Sequence, residues 1–143
     1  MPKKQLIIKV KWSYPREFEN AKETVLSYEG YGVYCISRKF GNKETIIYIG
    51  KTARQFRDRL KDHQNKWLDD YRGEKIVRFG TITQPKTVTK EIINDLESAI
   101  IFEIHPTHNT DKKNGYHYTE EYKIINEGYR GQLPKEIDIN KHL

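Results

Sequence analysis

The sequence predicts an α+β domain: a small, mainly antiparallel three-stranded sheet flanked by helices, with a strand–helix unit added at the N-terminal side and a C-terminal extension. Three observations predict it. Tyr31 to Ser37, Thr45 to Gly50 and Glu74 to Thr83 are rich in β-branched and aromatic residues and read as strands. Around them, two segments switch to a helical period. Finally, 143 residues hold one ordinary core and leave little room for a second, so 1–143 is read as a single domain with its motif core at about 30–110.

The elements follow in order. Leu6 to Trp12 reads as the added strand. Pro15, pre-set for a first helical turn, predicts a helix through Phe18, Ala21, Val25 and Leu26 to Tyr28, stopped by Gly30. Gly41-Asn42 joins the first two sheet strands and predicts a hairpin. From Arg54, the residues Phe56, Leu60, His63 and Trp67 fall on one helical face. Gln84-Pro85 is a turn after the third strand. Val88, Ile92, Leu96 and Ile100 repeat every fourth residue and carry a second long helix to Ile104, and Pro106 marks its end. The tail from Thr110 is polar, with one strand expected at Tyr122 to Ile125.

Composition narrows the function classes. Charged residues make up 32% and hydrophobic ones 36%, which describes a polar chain with a modest core; ten tyrosines add apolar area that keeps a polar tip. The single cysteine, Cys35, forms no internal disulfide and suits a reducing compartment. No apolar run approaches the roughly 18 residues of a membrane span. Met1-Pro2-Lys3-Lys4 is not followed by the apolar stretch of a secretory signal. A cytoplasmic protein with no membrane partner is expected. The net charge of +6 leans toward a polyanion, because cations that neutralise phosphates release counterions.

Four pieces carry chemistry. Gly32-Val33-Tyr34 lies on the first sheet strand and Tyr48-Ile49-Gly50 on the second, with Lys51 directly after it. The first long helix holds Arg59-Leu60-Lys61-Asp62-His63, and the second holds Glu97, followed by Pro106-Thr107-His108-Asn109. Singly, each has an ordinary explanation: tyrosine favours strands, and Arg59 with His63 could be a solvated pair beside an apolar stripe. On a helical wheel Glu97 and Glu103 both fall in the apolar arc, so the wheel does not choose between them. The order and spacing of all four pieces together do choose.

In that order the pieces resemble the GIY-YIG nuclease superfamily, whose two strand motifs are written here GVY and YIG. The likeness runs from about Gly32 to Asn109, a little over half the chain. Val33 replaces the usual isoleucine and changes no chemistry. The loop between Lys51 and Phe56 is one residue longer than in many members, which lets Arg57 compete with Arg59; Phe56, Leu60 and His63 fall in register with Arg59.

The resemblance implies a compact, stand-alone, restriction-like endonuclease that hydrolyses phosphodiesters and leaves 5′-phosphate and 3′-hydroxyl ends. DNA is the expected partner, with RNA left open; a homodimer is a further expectation, since one site cuts one strand. The implied catalytic set is Tyr34, Tyr48, Lys51, Arg59, His63, Glu97 and Asn109. Tyr34 would orient and deprotonate water, helped by a cation such as Lys51, because a free phenol titrates near pH 10. Tyr48 and His63 would hold the water or a phosphate oxygen, and Arg59 would offer its planar fork to the phosphate. Glu97 would hold Mg²⁺, with Mn²⁺ as substitute, since Mg²⁺ needs only one or two protein carboxylates. Asn109 would brace the site.

Two other groups are weaker. Cys35, His105 and His108 lack the spacing of a zinc site, and Asp69-Asp70 reads as solvated surface after a helix.

Overall fold

Strand β1 (Leu6–Trp12) buries Ile8, Val10 and Trp12 at alternate positions, the two-residue period of a strand packed on one face. Strand β3 (Gly32–Phe40) differs, because every residue from Gly32 to Ser37 is buried. A strand buried on both faces must be covered from both sides, and that requirement organises the molecule. The computed structural model describes residues 5–21, 32–52, 56–68, 71–109, 118 and 120–139.

The remaining strands are β2 (Arg16–Glu17), β4 (Lys43–Thr52), β5 (Glu74–Gln84), β6 (Tyr122–Gly128) and β7 (Glu136–Ile139). They form one seven-stranded mixed sheet in the order β4-β3-β5-β1-β6-β7, with β2 paired to β5. Helices α1 (Phe18–Ala21), α2 (Phe56–Lys66) and α3 (Lys90–Ile104) cover it. On one face, α3 contributes Leu96, Ala99, Ile100 and Ile101 to a core with Ile8, Val10, Val33, Cys35 and Ile49. On the other, α1 and α2 bring Phe18, Ala21, Phe56 and Leu60 onto Tyr34, Ile36, Val77 and Phe79.

The expected three-stranded sheet is therefore corrected. Its strands are the antiparallel β4-β3-β5 end of a larger sheet. The other edge of β5 would present unpaired backbone groups, and β1 pairs there antiparallel. Strand β6 then joins β1 in parallel from Leu6↔Tyr122 to Trp12↔Gly128, and β7 closes on β6. The tail read as mostly polar thus supplies two strands, whose inward residues Tyr122, Ile124, Ile137 and Ile139 continue the α3-side core.

Other boundaries move less. Strand β3 runs on to Phe40, and the hairpin turns at Gly41, whose φ of 64° lies in the left-handed region. The second long helix starts at Lys90, capped by the Thr89 hydroxyl accepting from Ile92 N–H at 3.2 Å. It ends at His105 (φ 53°), whose N–H bonds the Ile101 carbonyl at 2.8 Å. Where a helix was expected from Pro15, Arg16–Glu17 is a short strand and only Phe18–Ala21 is helical; the rest of that expectation (Val25, Leu26, Tyr28, Gly30) lies outside the described residues, as do Tyr31, Arg54 and Asp69-Asp70. Among the described residues no helix is long and apolar enough to cross a membrane.

Candidate active site

The two motif tyrosines are brought together by the β3–β4 ladder. Tyr34 is paired with Gly50, and Ile36 with Tyr48. The register then shifts between Ile36 and Ser37, leaving Ile47 as the extra residue of a bulge. A bulge turns neighbouring side chains toward one side, and Ile47 and Tyr48 both join the α2-side core. The two phenol rings end 6.1 Å apart.

Helix α2 lies over this face because Phe56 and Leu60 are fully buried one turn apart. Its next buried residue on that side is His63, whose Nε2 stands 2.5 Å from the Tyr34 hydroxyl and whose Nδ1 stands 2.8 Å from Trp67 Nε1. The His63 ring also packs edge-on against Tyr48 at 4.6 Å. Arg59, one turn earlier, is near enough for its charge to act on the Tyr34 phenol and stands 3.7 Å from Asp62. Its side chain remains 31% exposed, enough to meet a ligand. The Arg57 side chain lies outside the described residues.

A cleft of about 250 Å³ opens here, lined by Tyr48, Arg59, Asp62, His63, Lys66, Trp67, His108 and Asn109. Four residues expected from the motifs therefore face one cavity: Tyr48, Arg59, His63 and Asn109. Tyr34 lies behind them, with none of its surface exposed.

Asn109 is held by the edge strand. Its side-chain amide accepts from Ile49 N–H and donates to the Ile49 carbonyl, each at 2.9 Å, and His108 N–H bonds the Ile47 carbonyl at 2.7 Å. The segment after α3 thus covers the outer edge of β4 with hydrogen bonds a further strand would have made. It also delivers His108, which stacks on Trp67 at 3.9 Å and meets the Tyr71 hydroxyl at 3.0 Å through Nδ1.

Lys51 is directed elsewhere. Strand alternation puts it on the α3 face, opposite Tyr34, and its ammonium bonds Asn94 Oδ1 on α3. The cation that acts on Tyr34 is Arg59. Glu97, also on α3, is 8% exposed; it does not line the cleft, but its charge reaches Tyr34 and opposes ionisation there. Glu103, the other acid on the helical arc, is exposed. Asp95 is fully buried and accepts from the Tyr122 hydroxyl at 2.6 Å.

Electrostatics set the protonation states. Burial pushes the Tyr34 phenol well above its usual range, Tyr48 adds to the shift, and Arg59 only partly offsets it. Tyr34 is thus a neutral phenol at physiological pH, which opposes the deprotonating part of its expected role. His63 is pushed down to about 4, first by burial and then by the Arg59 charge, so it is neutral too. For Arg59, burial works against the charged form, but the phenols and Asp62 outweigh it and the guanidinium pKa rises.

For a metal, the donors on this side are few. Among the described residues no three His, Cys, Asp or Glu side chains group together. Cys35 is sealed in the α3-side core, where burial raises its thiol to about 12. Glu97 offers the hard oxygen ligand that Mg²⁺ prefers, but it does not line the cleft, and among the described residues it joins no group of three such ligands.

Sequence reasoning passed over four cleft residues. Trp67 read as one member of an apolar stripe, His108 as a weak zinc candidate inside the Pro106–Asn109 run and Asp62 as part of the Arg59–His63 run, while Lys66 was not singled out. The one available signal was the four-residue step from His63 to Trp67, which lets a helix bring two side chains into contact.

Compared with family models, curated protein sequences and solved structures, the chain gives no match, so the resemblance to GIY-YIG nucleases rests on the sequence motifs alone.

Proposed function

We propose that this chain is a divalent-metal-dependent endonuclease of the GIY-YIG type, hydrolysing phosphodiester bonds of DNA. The observation that carries the reading is the convergence of Tyr48, Arg59 and His63 on one cleft, with Tyr34 directly behind them and bonded to His63. Ordinary strand tyrosines and a solvated helix pair have no reason to meet in this way.

In this reading a water attacks phosphorus and the bond to the 3′ oxygen breaks, leaving a 5′-phosphate and a 3′-hydroxyl. Arg59 meets the phosphoryl oxygens as charge builds on them, where a fixed fork of donors is most effective. Lys66 adds positive charge at the rim, balanced in part by Asp62. Tyr48 lines the cleft and orients the water or a phosphate oxygen. Tyr34 fixes His63 by hydrogen bonding from below. Mg²⁺, when bound at Glu97, would supply Lewis-acid stabilisation of the developing charge. Asn109 holds the β4 edge on which Tyr48 sits.

The test is direct. Purified protein is incubated with plasmid DNA, single-stranded DNA and RNA in Mg²⁺, beside the Glu97→Gln variant. Metal-dependent cleavage that the variant loses supports the reading. Cleavage of none of the three, or undiminished cleavage by the variant, overturns it.

One observation favours a second reading. Tyr34 is fully buried and neutral, which would suit a non-catalytic nucleic-acid-binding module that keeps the fold. That module would bind in a salt-dependent way without metal-dependent turnover.

A further inference from the structure

Trp67 lines the cleft but belongs to none of the four motifs. Its indole nitrogen is a donor and never an acceptor. It stands 2.8 Å from His63 Nδ1, so that nitrogen must present its lone pair. A neutral imidazole carries one proton, which is therefore on Nε2, and Nε2 stands 2.5 Å from the Tyr34 hydroxyl. The hydroxyl oxygen must then accept.

We propose that Trp67 is a positioning residue: its indole N–H locks His63 in the Nε2–H tautomer, so that the imidazole donates to Tyr34 and the phenol directs its own proton away from His63. The chain of donors runs Trp67 to His63 to Tyr34, across the end of α2 and strand β3. It has two consequences. His63 cannot take a proton from Tyr34, because the nitrogen facing the phenol already carries one. Nor can His63 become an imidazolium in place, because Nδ1–H would then point at the indole N–H. Instead, the His63 Nε2–H falls on the Tyr34 oxygen, and the phenol's own O–H is left to donate in another direction.

The groups around the imidazole agree with a neutral ring. Arg59 and Lys66 from α2 and His108 from the segment after α3 all disfavour a positive charge on His63; Asp62 alone favours it. The bonding pattern stands apart from the nuclease reading, whereas its service to cleavage rests on that reading.

Nitrogen–proton correlation spectra of the His63 ring in the full chain test the bonding. At neutral pH the wild type should show Nε2 protonated and Nδ1 bare; a protonated Nδ1 or a cationic ring would overturn the proposal with no variant needed. In Trp67→Phe, the ring should shift toward the Nδ1–H form, because Nε2 is then released to accept from Tyr34; an unchanged tautomer would also overturn it. A tryptophan isostere with sulfur in place of the indole N–H should reproduce the Phe result without altering packing, and 5-fluorotryptophan, which keeps the N–H, should behave as wild type. On a cleaved substrate, loss of the N–H should lower kcat by about 10–100-fold, the range for outer partners that orient a functional histidine, with KM little changed. If no nucleic acid is cleaved, the nuclease reading fails while the spectra still decide the tautomer.

Discussion

Gly50 and Tyr34 face each other across the β3–β4 ladder, and the absent side chain of the one is the seat of the other. A Cβ at position 50 would overlap Tyr34 Cζ and Oη, and would come within 2.8 Å of Tyr48 Cε2. The glycine that ends the second strand motif is therefore there for the tyrosine that ends the first. Gly50→Ala should push the Tyr34 hydroxyl off His63 and destabilise the fold by about 1–3 kcal/mol, the usual cost of overpacking a filled core. Urea denaturation measures the second effect and the cleavage rate the first. An alanine variant with wild-type stability and rate would refute this account of the glycine.

Asn109 offers a different kind of test, because its contacts are with backbone alone. Both ends of its buried amide are bonded to Ile49. Asn109→Ala would leave the Ile49 N–H and carbonyl without these partners, and an unsatisfied buried group costs about 1–3 kcal/mol. Exchange of the Ile49 amide hydrogen should accelerate before that of Cys35, its partner on the inner strand. If Ile49 stayed as protected as in the wild type, the brace would be supplied by something else.

Stability should depend on pH through His63. Its folded-state pKa is pushed down to about 4 from an ordinary value of 6.5, first by burial. Between those two values the unfolded chain holds a proton that the folded chain does not, so stability rises with pH across that window. The contribution is complete above 6.5 and is lost as the pH falls toward 4. Urea midpoints collected from about pH 4 to about pH 7 should therefore climb more steeply for wild type than for His63→Gln. Equal slopes would mean that the imidazole is not held neutral.

These tests also mark what was legible in the sequence. The β3–β4 hairpin, α2 and α3 could be read because Gly41-Asn42, the Phe56-Leu60-His63 face and the Ile92-Leu96-Ile100 face are local patterns. The wider sheet could not. Its added strands pair Leu6 with Tyr122 and Ile124 with Ile137, and nothing within β7, four residues with two of them acidic, announces a partner so far away. In the site, Tyr34, Tyr48, Arg59 and His63 were found through motif order, and the structure gathers them. Lys51 was assigned by proximity in sequence; strand alternation carries it to the opposite face, where it meets Asn94. The role of Trp67 depends on which imidazole nitrogen it meets, a relation no spacing rule encodes.

Arg59 gives the sharpest test of the site as a whole. Its pair with Asp62 is long, at 3.7 Å, and a third of its side chain is exposed, so it contributes little to folding. Its proposed task is to place two donors on a phosphate, which a lysine of the same charge does not do. Arg59→Lys should thus keep wild-type stability and salt-dependent nucleic-acid binding, while the single-turnover cleavage rate falls by about 10²–10³, the typical loss when one preorganised donor is removed. Denaturation, a binding isotherm and a cleavage time course on the same preparation separate these effects. Weaker binding with an unchanged rate would make Arg59 a docking cation. A lysine variant as fast as the wild type would remove the guanidinium from the chemistry, and with it the reason Tyr48 and His63 share its cleft.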